Sequence, residues 1–289
     1  MPQISKKGND LPKSAIRKLI PYSDAAKARG TKVIHLNIGQ PDIETPKGAL
    51  KALAETEIGV LAYAPSNGNL SYRKKLVEYY KRNDININEN EIIVTCGGSE
   101  ALQFAFTVCL NPGEEILIPE PYYANYNTFA MLSDSQIKTI PSSIKDGFAL
   151  PPIEEFEKAI TPKTKLIMFS SPSNPTGMLY TKEELKGIAE VVAKHENLFV
   201  MADEIYEHIN FVGKHESIAQ FPEVKDRVIT VNGVAKGFAM TGWRIGFIAA
   251  PTVIAKACNK LQGQVTSATC SIAQKAPVCA MQMDPATSE

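Results

Sequence analysis

Short apolar runs alternate with amphipathic stretches along most of the chain. The apolar runs are EIIVTC (91–96), EEILIPEP (114–121), LIMFSS (166–171), NLFVMA (197–202) and RVITVNG (227–233). Their length and their β-branched residues predict buried strands of a parallel sheet. The stretches between them have helical spacing, and one starts with a capping box between Thr181 and Glu184. This alternation predicts an α/β fold with a mostly parallel, doubly wound sheet.

The N-terminal stretch is predicted to be organised differently from the rest of the chain. VIHLNIG (33–39) predicts a strand that ends in a turn. SDAAKARG (23–30) predicts a short helix that its serine caps and its glycine ends. We therefore expect residues 1–45 to form an N-terminal arm and part of a small domain. Residues 46–289 are expected to form one large domain.

The composition limits the classes of partner. The 289 residues include 31 basic and 31 acidic side chains, so the formal net charge at pH 7 is zero. This balance favours neither nucleic acid nor an anionic membrane surface as a partner. The sequence has no apolar run of membrane-spanning length, and its first ten residues do not resemble a signal peptide. Five cysteines without a CxxC pair predict reduced thiols in a cytoplasmic protein and no metal site.

Polar or special residues follow each predicted strand. They are Gly97, Gly98 and Ser99, then Tyr123, Asn174, Asp203 with Tyr206, and Lys236. Because ligands of open parallel sheets bind beyond the carboxyl ends of the strands, these residues are expected to meet at one edge. Each has an ordinary structural explanation when taken alone. A glycine-rich turn, a helix cap and a solvated lysine are all common.

Taken together, these residues fit one kind of ligand. A pyridinium ring with a phosphate, an aldehyde and a phenolic oxygen needs an amine, a carboxylate, an aromatic face and a phosphate seat. Lys236 and Asp203 supply the amine and the carboxylate. The helix that starts at Gly98 offers free N–H groups to a phosphate, and Arg244 offers a guanidinium.

Six segments resemble the motifs of class I and II aminotransferases, which are pyridoxal 5′-phosphate (PLP) enzymes of fold type I. The segments are NIGQPD (37–42), YAPSNG (63–68), VTCGGSEAL (94–102), SSPSNPTG (170–177), MADEIYEH (201–208) and VNGVAKGFAMTGWRIG (231–246). The resemblance is to the aspartate aminotransferase-like subgroup. It implies a seven-stranded sheet, a homodimer, and amino acid and 2-oxo acid substrates that exchange an amino group by a ping-pong mechanism.

The resemblance also implies roles for the residues around the ring of PLP. Lys236 would hold PLP as a Schiff base and move the proton at the substrate α-carbon. Asp203 would pair with the ring nitrogen, and Tyr206 and Asn174 would bind the phenolic oxygen. Tyr123 would stack on the ring. Tyr123 and Asn174 would also contact the substrate.

Further roles are implied at the phosphate and at the substrate carboxylate. The phosphate would be held by Gly97, Gly98, Ser99 and Arg244. Tyr63 would reach the phosphate of the neighbouring subunit in the homodimer. Gly39 would lie against the substrate carboxylate.

The sequence departs from the family pattern in three places. Ala235 stands where many relatives have serine, and Ser99 stands where some aspartate-using relatives have lysine. No arginine follows Arg244, although the family's C-terminal small domain carries one that binds the substrate carboxylate. We therefore expect a truncated chain without that small domain. A fold type I lyase and a PLP-binding fragment without turnover remain alternatives to an aminotransferase.

Overall fold

A seven-stranded sheet forms the centre of the molecule in a computed structural model that describes residues 2–14, 16–57 and 59–280. The strands are β1 (Ile92–Thr95), β2 (Glu115–Glu120), β3 (Gln136–Pro141), β4 (Thr164–Ser170), β5 (Phe199–Asp203), β6 (Val228–Gly233) and β7 (Gly246–Ala249). Their spatial order is β1-β7-β6-β5-β4-β2-β3. β7 runs antiparallel to both of its neighbours, and the other adjacent pairs are parallel. The predicted mostly parallel sheet is confirmed.

Helices cover both faces of this sheet. They are α1 (Lys6–Asp10), α2 (Ile20–Ala28), α3 (Lys47–Ala54), α4 (Leu70–Arg82), α5 (Gly98–Cys109), α6 (Tyr126–Leu132), α7 (Ile153–Ala159), α8 (Lys182–Lys194), α9 (Thr252–Val265) and α10 (Ala276–Ala280). The capping box predicted at the start of α8 is present, with the side chains of Thr181 and Glu184 each bonded to the other's backbone N–H. Reciprocal capping leaves fewer N–H groups without a partner where the helix begins.

Each face of the sheet has its own hydrophobic core. α5, α6 and α9 pack against one face, and α7 and α8 pack against the other. A third cluster joins α3, α4 and α10 to β1 and β7. Central side chains such as Ile167, Met201 and Ile229 are fully buried. Each burial of that size stabilises the fold by roughly 1.5–3 kcal/mol, so this double-sided core holds the strand ends in place.

The five strands predicted from the apolar runs are confirmed to within two residues. Two strands of the sheet were not predicted from the sequence. β3 is a largely exposed edge strand, and β7 has only four residues. The strand predicted at 33–39 is wrong, because this segment pairs with no strand of the described residues and its Leu36 is 92% exposed. α2 starts before Ser23, whose hydroxyl donates to the carbonyl of Ile20 instead of capping the helix.

The division of the chain near residue 45 stays a prediction. In the described residues, no helix combines the length and the apolar character needed to cross a membrane.

Candidate functional site

The candidate site lies at the edge where parallel strands end. β4, β5 and β6 are parallel neighbours, so their carboxyl ends meet there. Asp203 is the last residue of β5, and the segments after β4, β5 and β6 carry Asn174, Tyr206 and Lys236. The structure therefore brings together the residues that the sequence placed after separate strands.

Lys236 reaches across the site to the N-terminal segment. Its Nζ donates a hydrogen bond to the carbonyl oxygen of Gly39 and lies 5.8 Å from the centre of the Tyr206 ring. Burial lowers the pKa of Lys236, and the positive charge of Arg244 lowers it further. A larger fraction of this amine is therefore neutral and nucleophilic than in a solvated lysine.

Asn174 and Tyr206 form a pair of polar groups beside Lys236. The Asn174 Nδ2 donates to the Tyr206 hydroxyl over 3.3 Å. Burial and the charge of Asp203 raise the pKa of Tyr206 to about 12. The phenol therefore keeps its proton at neutral pH. Both side chains carry N–H or O–H donors for an anionic oxygen.

Asp203 is buried and has no cationic side chain as a partner among the described residues. Its Oδ2 accepts a hydrogen bond of 2.7 Å from the Tyr126 hydroxyl, and its Oδ1 accepts one of 3.3 Å from the Ile205 N–H. Burial raises the pKa of Asp203 to about 6, although both hydrogen bonds oppose that rise and the nearby Glu204 adds to it. A cation placed beside this carboxylate would relieve the desolvation cost.

Sequence reasoning missed Tyr126. Its hydroxyl is the hydrogen-bond partner of the Asp203 carboxylate, but the two residues lie 77 positions apart in the chain. The signal available was a tyrosine at the first position of α6, which is equally typical of a core residue. Only the packing of α6 against the sheet aims its hydroxyl at β5.

A cradle for an anion forms where β1 runs into α5. Gly97 has a φ of +79° and precedes the first residue of the helix, Gly98. A β-carbon on Gly97 would lie 2.4 Å from Nη2 of Arg244, and one on Gly246 would lie 2.4 Å from the carbonyl carbon of Gly97. The absence of these side chains lets the guanidinium approach the start of the helix. Ser99 is exposed in the first turn.

Two other predicted residues lie at the margin of the site. Tyr123 is half-buried, packs edge-on against Tyr126 with ring centres 5.5 Å apart, and accepts a hydrogen bond of 2.8 Å from Asn125. Tyr63 stays outside these contacts, with 92% of its surface exposed. Its predicted role concerns a neighbouring subunit, so the single chain does not test it.

An open groove of about 310 Å³ borders the Asn174 and Tyr206 pair. It runs between the turn at 172–177 and the loop at 209–212, whose Phe211 is 92% exposed. Its walls are mainly apolar, and its polar side chains are Ser173, Asn174, Tyr206 and Asn210. The groove therefore offers space for a small molecule next to the donors.

These features fit PLP. The glycine-lined cradle with Arg244 suits a phosphate, and the buried Asp203 lacks the positive charge that a protonated pyridine nitrogen would bring. Lys236 is an amine with a lowered pKa on the same edge of the sheet. Asn174 and Tyr206 carry donors for a phenolic oxygen.

Two known proteins illustrate the sequence similarity. The chain is 38% identical over 289 residues to a bifunctional aspartate aminotransferase and glutamate/aspartate-prephenate aminotransferase of Petunia hybrida, covering 99% of this chain and 60% of that protein. It is 38% identical over 285 residues to an aspartate aminotransferase of Geobacillus stearothermophilus, covering 96% of this chain and 71% of that protein. The chain thus spans between about half and about seven-tenths of the length of its curated relatives.

Solved structures give the same result for the fold. An aspartate aminotransferase from Rhizobium meliloti superimposes with a TM-score of 0.94 at 33% identity, covering 100% of this chain and 73% of that chain. The Thermus thermophilus aspartate aminotransferase with maleate gives a TM-score of 0.92 at 33% identity, covering 97% of this chain and 73% of that chain. The fold type I prediction is confirmed.

The family match covers almost all of the chain. The sequence profile of the family described as aminotransferase class I and II matches residues 31–289. Enzymes of this family depend on PLP, the cofactor that the site geometry fits. The chain therefore belongs to the class I and II aminotransferases.

Proposed function

We propose that this chain holds PLP covalently on Lys236 and moves an amino group from an amino acid to a 2-oxo acid. The observation that carries the proposal is the arrangement of an amine with a lowered pKa, Lys236, on the sheet edge that also carries a buried carboxylate, Asp203. When bound, PLP supplies an electron-accepting ring that stabilises negative charge at a substrate α-carbon.

The residues around the ring of PLP each bind a different part of it. Asp203 provides the negative charge that keeps a ring nitrogen protonated. Asn174 and Tyr206 donate hydrogen bonds to the phenolic oxygen, and Tyr123 lies against the ring. The distances between the protein groups support these roles, since Asn174 and Tyr206 are 3.3 Å apart and Lys236 Nζ is 5.8 Å from the Tyr206 ring.

The phosphate is proposed to sit at the start of α5. Gly98 and Ser99 present backbone N–H groups there, and the helix dipole favours an anion. Gly97 precedes them and leaves room for Arg244, while its own N–H donates to the carbonyl of Thr95 over 2.8 Å. Arg244 adds a guanidinium that can bind two phosphate oxygens at once. Its position beside Gly97 supports this role.

Lys236 is proposed to carry the proton that leaves and returns at the substrate α-carbon. Its lowered pKa increases the fraction of the amine that is neutral, the form that a general base requires. Its hydrogen bond to Gly39 places it at the N-terminal segment, where a substrate carboxylate is proposed to bind. Gly39 and Asn174 would flank that carboxylate.

The names of relatives suggest which substrates to test. Several are aspartate or aspartate/prephenate aminotransferases, and one solved relative is an aspartate aminotransferase with maleate, a dicarboxylate. We therefore propose L-aspartate as the first amino donor to test and 2-oxoglutarate as the acceptor. The test of an acidic donor is needed because Ser99 stands where some aspartate-using relatives have lysine, so this position offers no positive charge to a second carboxylate.

A homodimer in a reducing compartment completes the proposal. Tyr63 is 92% exposed in the single chain, which supports a role at the phosphate of a neighbouring subunit. The cysteines Cys96, Cys109, Cys258 and Cys270 are free thiols, which supports a cytoplasmic location. Sedimentation of the PLP-loaded chain tests the dimer.

Spectroscopy of the purified chain tests the proposed reaction. After addition of PLP, L-aspartate alone should convert the bound cofactor to its pyridoxamine form and release oxaloacetate. 2-Oxoglutarate should then reverse the spectrum and yield glutamate. L-Serine has a leaving group on its β-carbon, so release of ammonia with pyruvate from L-serine would instead indicate a lyase. A stable PLP spectrum that no amino acid changes would indicate binding without turnover.

A further inference from the structure

Tyr126 differs from the other fully buried tyrosines. The hydroxyl groups of Tyr72 and Tyr80 have no hydrogen-bond partner in the described residues. The hydroxyl of Tyr126, which is 1% exposed, donates to Asp203 Oδ2 over 2.7 Å. A buried hydroxyl that donates to a carboxylate makes a stronger bond than one between neutral groups.

Aromatic packing fixes the direction of this hydroxyl. The Tyr126 ring stacks on Tyr122 with an interplanar angle of 7° and a centre distance of 6.2 Å. On another side it packs edge-on against Tyr123 at 5.5 Å. Because α6 begins at Tyr126, these neighbours hold the ring where the helix starts. These contacts hold the ring in one orientation, and in that orientation the hydroxyl points at Asp203 in β5.

We propose that Tyr126 is a positioning residue of the proposed reaction, whose hydroxyl orients the Asp203 carboxylate and keeps it ionised for the ring nitrogen of PLP. The inference rests on the proposed function, since only a PLP-bound site uses a charged Asp203. Tyr126 itself is buried behind the carboxylate. It acts on the reaction through Asp203.

The charge balance around Asp203 explains why this bond matters. Tyr126 faces the carboxylate from α6, Tyr123 from the segment before α6, and Glu204 and Tyr206 from the segment after β5. Burial raises the pKa of Asp203 to about 6, and the Tyr126 hydrogen bond is the largest opposing effect. Without that bond, the pKa of Asp203 would rise further, so a proton would compete more strongly with a protonated ring nitrogen for this carboxylate.

The substitution Tyr126→Phe removes the hydroxyl and keeps the ring that packs on Tyr122 and Tyr123. We expect the proton affinity of Asp203 in the cofactor-free chain to rise about tenfold or more, measured by ¹³C-carboxyl NMR titration. We expect the dissociation constant for PLP to rise by a similar factor below about pH 6, where a proton on Asp203 competes with PLP binding, and the difference from wild type to shrink as the pH rises. Tyr72→Phe is the matched control, because it removes a buried hydroxyl that has no partner.

Incorporation of 3-fluorotyrosine at position 126 tests the same bond in the opposite direction. This stronger donor should lower the proton affinity of Asp203, and it provides a test even if Tyr126→Phe does not fold. Unchanged Asp203 titration in both variants would overturn the inference. An altered titration with unchanged PLP affinity and pH dependence would also overturn it while leaving the proposed function intact. Wild-type chain that binds no PLP would overturn both.

Discussion

A β-carbon on Gly97 would lie 2.4 Å from Nη2 of Arg244, a distance that no real β-carbon contact tolerates. The glycine is therefore what allows the guanidinium to stand beside the first turn of α5. Arg244 itself has a φ of +56°, an uncommon value for a residue with a side chain. Two unusual backbone conformations thus meet at the proposed phosphate seat, which is where strain is expected to serve binding.

Gly97→Ala should displace Arg244 and weaken PLP binding by at least tenfold. The matched control is Gly113→Ala, because Gly113 has a similar φ of +82° and its added β-carbon would meet no atom within 4 Å. Both variants should lose about 1–2 kcal/mol of unfolding free energy from backbone strain. Equal PLP affinities in the two variants, measured by absorbance titration, would show that Arg244 and the glycine do not form the seat.

Asp203→Asn should stabilise the cofactor-free chain at neutral pH while it weakens PLP binding. The pKa of Asp203 is raised from 3.8 to about 6 in the folded chain, so the folded state binds this proton more tightly than the unfolded state. That contribution to stability is complete below pH 3.8 and is lost as the pH rises to about 6. The asparagine should therefore gain roughly 3 kcal/mol at pH 8 and little at pH 4. Urea unfolding at the two pH values measures the difference.

A loss of stability for Asp203→Asn at pH 8 would contradict this reasoning. It would mean that the ionised carboxylate has a favourable partner in the cofactor-free chain. The PLP titration of the same variant should show at least a tenfold weaker affinity. Stability and cofactor binding then move in opposite directions, as expected when a buried charge is kept for function.

Arg244→Gln should raise the pKa of Lys236, because it removes the charge that assists burial in lowering that pKa. Pyridoxal without phosphate is the probe, since it reacts with the amine but makes no use of the phosphate seat. The pH dependence of its attachment to Lys236 should move to higher pH. Arg227→Gln is the control, because Arg227 binds the carbonyls of Val192 and His195 instead. Identical pH profiles for all three proteins would contradict the account.

The fold was predictable where hydrophobicity alone decides the structure. β4 and β5 are central strands buried on both faces, so their apolar runs marked them clearly. β3 was missed because an edge strand needs few apolar residues. The segment at 33–39 failed for the opposite reason: its apolar residues resemble a strand, but Leu36 is exposed and no described strand pairs with it.

The part of the site that lies at the ends of parallel strands was predictable from the sequence. Asn174, Tyr206 and Lys236 lie together because parallel strands deliver them to one edge. The hydrogen bond from Tyr126 to Asp203 was not predictable, because it depends on how α6 packs against β5. Sequence periodicity specifies which face of a helix is buried but not which atom a buried hydroxyl meets.

The central claim is that Lys236 is the residue that binds PLP. Reduction of the PLP-loaded chain with borohydride, followed by proteolysis and mass spectrometry, tests it directly. We expect a phosphopyridoxyl group on Lys236 and its loss in Lys236→Ala, while labelling of exposed lysines such as Lys158 stays at background. A stoichiometric label on any other lysine, or an unchanged label in Lys236→Ala, would contradict the account.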